Sequence, residues 1–240
     1  MTLTADNISV RFSGVHAIED VSLSVDRTEI LGLIGPNGAG KTTLLNVLTG
    51  FQAPHPGRVT LDGAEVTRHG SAWFARNGVV RTFQAVRLFH DLSVSENIEA
   101  SLSSLGVGRS AARRRAAEIA DYIGIADRLQ VPARALNYGD ERRVGIARAI
   151  ALAPAFLLLD EPAAGMNIGE ADQLCDLIRR IHQDMGCGVV VIEHNMRLVS
   201  RLCDRLHMIA GGRTVTTGTP EEVMASQAFR DSYLGAEQAV

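Results

Sequence analysis

Apolar and polar residues alternate in NISVRF (7–12) and VSLSV (21–25), which predicts two short antiparallel strands near the start of the chain. EILGLIG (29–35) is apolar almost throughout and ends in glycine, the pattern of a buried strand. KTTLLNVLTG (41–50) then spaces its apolar residues for a helix and stops at Gly50, a C′ position suited to the left-handed conformation. APHPG (53–57) carries turn chemistry, and RVTLDG (58–63) resumes a strand and turns back.

From about residue 88 to 153 the strand-like runs vanish. ENIEASLSSLG (96–106), SAARRRAAEIADYIGI (110–125) and RRVGIARAIALA (142–153) are helix-like. AFLLLDE (155–161) and GVVVIEH (188–194) follow as two more buried strands, with a helical stretch (169–185) between them. That alternation requires a parallel sheet with crossover helices. The expectation is one α/β domain over 1–240. Residues 1–86 and 154–240 form its core, 87–153 an inserted helical part, and 236–240 a frayed end.

Composition narrows the class. At 240 residues, 46% hydrophobic and 21% charged, the chain is of ordinary globular type and long enough for a sizeable core. A net charge of −3 argues against coating nucleic acid, so no nucleic-acid partner is expected. No apolar run approaches the roughly 18 residues of a membrane span. MTLTADNISVRF has neither the charged nor the apolar region of a signal peptide. Cys175, Cys187 and Cys203 show no C-x-x-C spacing and read as reduced thiols in or near the core.

The strongest chemical signal is GPNGAGKT (35–42), which fits G-x-x-x-x-G-K-[ST] with a strand before it and a helix after it. Gly35, Gly38 and Gly40 let backbone N–H groups converge on phosphate oxygens. The helix beginning near Lys41 adds its positive end. Lys41 is expected to reach the β- and γ-phosphates, and the Thr42 hydroxyl to ligate Mg²⁺. The whole loop (Gly35, Pro36, Asn37, Gly38, Ala39, Gly40, Lys41, Thr42 and Thr43) is thereby assigned to the nucleotide.

FLLLDE (156–161) ends a buried strand in two acids, at the edge where ligands of open α/β sheets gather. Asp160 would hold Mg²⁺, directly or through water, and Glu161 would polarise the water attacking the γ-phosphate. His194 ends the neighbouring strand, where a neutral imidazole could donate to the γ-phosphate. Gln84, closing RTFQ (81–84), is positioned to sense the metal or the water.

In that order GPNGAGKTT, RTFQ, LNYGDERR (136–143), LLLDEP and IEH resemble the ATP-binding subunits of ABC transporters, over essentially the whole chain. GVVRTFQAVRLFHDLSVSENI (78–98), DEPAAGMN (160–167), IEHNMRLV (192–199) and GTPEEV (218–223) look like one of the paired ATPases of high-affinity branched-chain amino acid importers. The resemblance implies a P-loop NTPase (RecA-like) core with a small antiparallel β part and a helical subdomain. It implies ATP and Mg²⁺ as cofactors, with Phe12 stacking on adenine. The implied partners are a second ATPase subunit, homo- or heteromeric and met head to tail, two membrane permease subunits and, indirectly, a solute-binding protein. The chain would then sit peripherally on the cytoplasmic face of the inner membrane, where the segment after Gln84 helps to dock a short permease helix.

LNYGDERR corresponds to the family's signature stretch, which closes on the opposing subunit's nucleotide. Gly139 is kept. Asn137 stands for the usual serine and can still donate to a phosphate oxygen, and Tyr138 replaces a glycine. Asp140 replaces glutamine: it would repel phosphates but accept from ribose hydroxyls. The stretch therefore reads either as an altered working half-site or as a weakened one. Asn167 replaces a family aspartate. Arg113, Arg114 and Arg115 read as a solvated helix face, with permease or lipid head groups as the other reading. Arg142 and Arg143 read as the start of a helix. Two rival functions remain: a soluble ABC ATPase uncoupled from transport, and a regulatory module that binds ATP without turnover.

Overall fold

The computed structural model describes residues 1–234, so the expected fraying at 236–240 lies outside the described residues. In chain order the strands are β1 (Thr2–Phe12), β2 (Val15–Asp26), β3 (Ile30–Ile34), β4 (Arg58–Leu61), β5 (Ala64–Glu65), β6 (Val79–Arg81), β7 (Phe156–Asp160), β8 (Gly188–Ile192), β9 (Arg205–Ala210) and β10 (Arg213–Gly218). The helices are α1 (Lys41–Leu48), α2 (Ser71–Arg76), α3 (Val94–Ser104), α4 (Arg109–Tyr122), α5 (Tyr138–Ile150), α6 (Ile168–Met185), α7 (Met196–Leu202), α8 (Pro220–Ala225) and α9 (Gln227–Leu234).

Strands β2-β1-β4-β5 make an antiparallel sheet. A second sheet has the order β10-β9-β3-β8-β7-β6, parallel except for its antiparallel edge strand β10. The first two strands are far longer than their alternating stretches predict. Their register shifts between Ala5 and Ile8 and again near Val10, and Asn7 and Asp20 take positive φ values of 50° and 53°. Each shift moves the apolar set to the other face, so the alternation survives only in pieces.

Strands β3, β7 and β8 are buried on both sides, hence their continuous apolar runs. Leu157, Leu159, Val189 and Val191 face the core shared with α3–α7. Phe156, Leu158, Val190 and Ile192 face a second core. There Leu44, Leu45 and Leu48 of α1 lie between this sheet and Leu3, Ala5 and Val59 of the antiparallel one. Gly32 is forced by packing: a Cβ there would meet Leu206 Cδ2 at 2.6 Å and Cys203 Sγ at 2.9 Å. All three cysteines are free and buried.

Between β6 and β7 the chain is helical apart from loops and turns. Ser93 opens α3 with a reciprocal capping box to Glu96. The fully buried Asn97 amide donates to the carbonyls of Phe89, Leu92 and Ser93 and pins the entry loop. Helix α4 buries only Ala112, Ala116 and Ala120, leaving Arg113, Arg114 and Arg115 on its exposed face. No described helix is long and apolar enough to cross a membrane.

Candidate functional site

The glycine-rich loop leaves β3 at its C-terminal end and enters α1 at Lys41. Gly35, Gly38 and Gly40 have φ values of 146°, 77° and 101°. At two of them close approach also excludes a side chain. A Cβ on Gly35 would sit 1.9 Å from the Ile209 carbonyl oxygen, and one on Gly40 2.3 Å from Ile18 Cγ2. The loop is thus wedged between β9 and β2, while Asn37, Gly38 and Thr42 remain exposed and Pro36 and Thr43 half-buried. Ala39 is buried, and its amide donates to Pro36 at 3.2 Å.

Lys41 is only 6% exposed, and its ammonium donates to the carbonyls of Gly35 at 2.7 Å and Pro36 at 2.9 Å. Burial lowers its pKa, opposed by the charges of Glu161 and Asp160. The lysine therefore rests on its own loop rather than extending from it. Behind the loop, the Gly35 amide donates to the Tyr233 hydroxyl of α9 at 3.0 Å.

The two acids do take different surroundings. Asp160 is buried at the end of β7, where Arg81 Nη2 reaches its Oδ2 at 2.6 Å. Arg81 also donates to Asn46 Oδ1 of α1, tying three elements together. Glu161, one residue on, has a positive φ of 48°, and its amide donates to Ile192 at 3.0 Å. Its carboxylate lies between Gln84 Nε2, 2.6 Å from Oε2, and His194 Nε2, 2.9 Å from Oε1. Gln84 and His194 thus both meet Glu161. Strain at a non-glycine residue in this region persists only where its surroundings hold it.

Glu193 supports this edge from within. Its buried carboxylate accepts from the amides of Ala163 at 2.8 Å and His194 at 3.2 Å, fixing the loop after β7 to the end of β8. Burial raises its pKa, opposed by those backbone bonds. Asn167 caps α6 with a second capping box, to Glu170.

The signature stretch lies lower in its helix than its sequence suggests. Helix α5 begins at Tyr138, with Asn137 as its N-cap, so Gly139 and Asp140 belong to the first turn. Asn137 Oδ1 accepts from the Asp140 amide at 2.9 Å, and its Nδ2 donates to Asp140 Oδ2 at 2.9 Å. Arg128 Nε lies 3.7 Å from that same oxygen. The polar groups of Asn137 and Asp140 are thus engaged with each other, not held free. Arg142 and Arg143 correct their reading as a mere helix start. Arg142 is buried and donates to Tyr138 Oη and Phe83 O, and Arg143 donates to Ile123 O and Gln173. Phe12, at the end of β1, is 50% exposed.

A cleft of about 290 Å³ opens between the segment after β6 and helix α5. Val80, Val86, Ile146 and Ala149 give it an apolar floor, with Arg87 and Arg148 at its sides. Arg148 donates to the Arg87 carbonyl at 2.6 Å and bridges the two walls.

No group of three or more His, Cys, Asp and Glu side chains among the described residues could hold a metal ion. Thr42 and Asp160 offer only hard oxygen donors, too few for a complete protein cage. That set fits Mg²⁺, which takes one or two protein oxygens and completes its shell with phosphates and water. Three contributors escaped the sequence reading. Arg81 lay inside a motif read only for its glutamine, Glu193 beside the histidine that drew attention, and Tyr233 in a segment with no motif.

The family model for ABC transporters matches residues 18–164. The high-affinity branched-chain amino acid transport ATP-binding protein LivG of Salmonella typhimurium is 39% identical, the match covering 97% of each chain. The corresponding protein BraF of Pseudomonas aeruginosa is 37% identical, again with 97% of each covered. Among solved structures, the ADP conformation of MJ1267, an ATP-binding cassette of an ABC transporter, matches with a TM-score of 0.88 at 28% identity, covering 98% of this chain and 99% of that one. A nucleotide-free ATP-binding cassette from an ABC transporter matches with a TM-score of 0.84 at 26% identity, covering 98% and 96%. The chain belongs to the ABC transporter family, as one of its ATP-binding cassettes.

Proposed function

We propose that this chain is the ATP-hydrolysing subunit of an importer for branched-chain amino acids or related small solutes. The observation that carries the chemistry is the placement of Glu161 between Gln84 and His194 beside the phosphate loop. Glu161 takes the proton of the attacking water as general base. His194 and Gln84 orient that carboxylate, and both stand ready to turn toward the γ-phosphate or the water. Lys41 exchanges its bonds to the loop carbonyls for phosphate oxygens, aided by the backbone amides from Gly35 to Thr43. Mg²⁺, held with the nucleotide by Thr42, Asp160 and Gln84, would draw charge from the β- and γ-phosphates. Phe12 packs on the adenine.

Residues 1–86 and 154–240 act as the nucleotide-binding part, and 87–153 as the helical part that carries the signature. A second ATPase subunit docks head to tail, so that Asn137, Gly139 and Asp140 close on the nucleotide of the opposing chain. Asp140 arrives already hydrogen-bonded by the Asn137 amide and beside the Arg128 guanidinium, which supports the altered but working half-site over the weakened one. Two permease subunits hold the assembly on the cytoplasmic face of the inner membrane, one docking at the cleft beside Val86, and a solute-binding protein delivers the cargo. The cargo assignment rests on the likeness to LivG and BraF.

The test is Glu161→Gln. It should bind ATP with native affinity while turnover falls roughly 10²–10⁴-fold, the usual worth of a general base. Light scattering with Mg·ATP should then show a dimer. Undiminished turnover would remove Glu161 from the chemistry, and a monomer at high concentration would require a different ATPase as partner.

A further inference from the structure

None of the hydrolytic roles above uses Arg81, yet it is built into the site as firmly as Asp160. Its side chain and that of Asp160 are each only 4% exposed, and they meet at 2.6 Å. The other branch of the guanidinium is spent on Asn46 of the phosphate-loop helix, and its Nε is buried without a partner. A buried ion pair costs both charges their hydration, and this one leaves a donor unmade as well. Tethering β6 to β7 does not require that expense, because backbone bonds already pair the two strands from Val79 to Arg81.

We infer that Arg81 is the resident counter-ion of Asp160, a positioning residue that sets how strongly the site binds a divalent cation. The inference rests on the metal role proposed for Asp160. The planar fork holds the carboxylate in one rotamer through Oδ2 while Asn46 holds the fork. Asp160 is therefore aimed before any nucleotide arrives. The same positive charge repels a dication at that carboxylate, and in a buried setting the repulsion is poorly screened. The guanidinium therefore holds the grip of Asp160 on a nucleotide-borne Mg²⁺ below what the carboxylate alone would give. A lysine could supply the charge but not the two-sided grip.

The experiment measures ADP affinity by calorimetry with and without Mg²⁺ and takes the ratio, which reports coupling between metal and nucleotide without any turnover. In Arg81→Gln the ratio should rise about tenfold as the repulsion is removed. In Arg81→Lys, which keeps the charge, it should stay near native. An unchanged or smaller ratio in Arg81→Gln overturns the inference. Asp160→Asn serves as the control, and its ratio should fall toward one. A fall there with no rise in Arg81→Gln defeats the role of Arg81 alone, while an unchanged ratio in Asp160→Asn defeats the metal role of Asp160 and the inference with it.

A second measurement needs no folded variant. The guanidinium ¹⁵N resonance of Arg81 in the native chain should move when Mg²⁺ is added to the ADP complex. A silent resonance, or one fully shifted by ADP alone, overturns the inference.

Discussion

Glu161 shows what residue identity does and does not convey. Its place after an apolar strand marked it in the sequence as a candidate base. Its left-handed backbone and its two bonds, to Gln84 and His194, depend on segments 77 and 33 positions away, which no local pattern encodes. His194→Ala should therefore leave nucleotide affinity intact while lowering kcat about 10²-fold, the loss of an orienting partner rather than of the base. Steady-state turnover beside equilibrium ATP binding separates the two. Lys41, Asn137 and Asp140 carry the same lesson. Sequence supplied their donors and acceptors, and the fold shows those groups satisfied internally, Lys41 because it is buried and Asn137 because an N-cap side chain meets the first turn of its own helix. Asn137→Ala removes both the cap of α5 and the hydrogen bond from its amide to Asp140. It should cost about 1 kcal/mol of stability, read by urea unfolding.

At the scale of elements, the buried strands β3, β7 and β8 and the helix α1 were legible because burial on both faces, or on one helical stripe, writes itself into the sequence. Strands β9 and β10 were not. The second is exposed or half-buried along its whole length, so it carries no periodic apolar signal. Helix α5 was placed four residues late because its first turn, YGDE, is polar and opens on a large exposed tyrosine. Helix α9 had no signal at all, yet through Tyr233 it reaches the first glycine of the phosphate loop. Tyr233→Phe keeps the ring packed on Phe229 and removes only the acceptor of the Gly35 amide. The unpaired amide should cost about 1–2 kcal/mol. For a domain of this size that lowers the melting temperature by roughly 2–8 °C, measurable by scanning calorimetry without nucleotide.

The whole molecule joins its two cores at one edge where chemistry and stability pull differently. Strand β9 continues the parallel sheet beside the phosphate loop and carries His207, which is 2% exposed. Its ring nitrogens are satisfied by the hydroxyls of Thr214 at 3.0 Å and Thr217 at 3.1 Å, both on β10. Burial, with a smaller contribution from the charge of Arg205, pushes its pKa down from 6.5 to about 4. The folded state therefore keeps this imidazole neutral where the unfolded chain would protonate it. Above pH 6.5 both states are neutral and the group makes no pH-dependent contribution. As pH falls from 6.5 toward 4 the unfolded state gains a proton that the folded state refuses, and stability drops. Below about 4 both states are protonated and the drop ends. A shift of that size corresponds to about 3 kcal/mol at full extent, a large share of the stability of an ordinary domain. Urea unfolding at pH 7, 5.5 and 4.5 should show the decline. In His207→Gln, which keeps a polar group against the two threonines but has no proton to take up, the curve should be flatter. The native protein would then be the more stable of the two at pH 7, with its advantage shrinking as the solution is acidified. Parallel curves would mean that His207 protonates equally in both states, and that the acid sensitivity of this cassette belongs to its carboxylates.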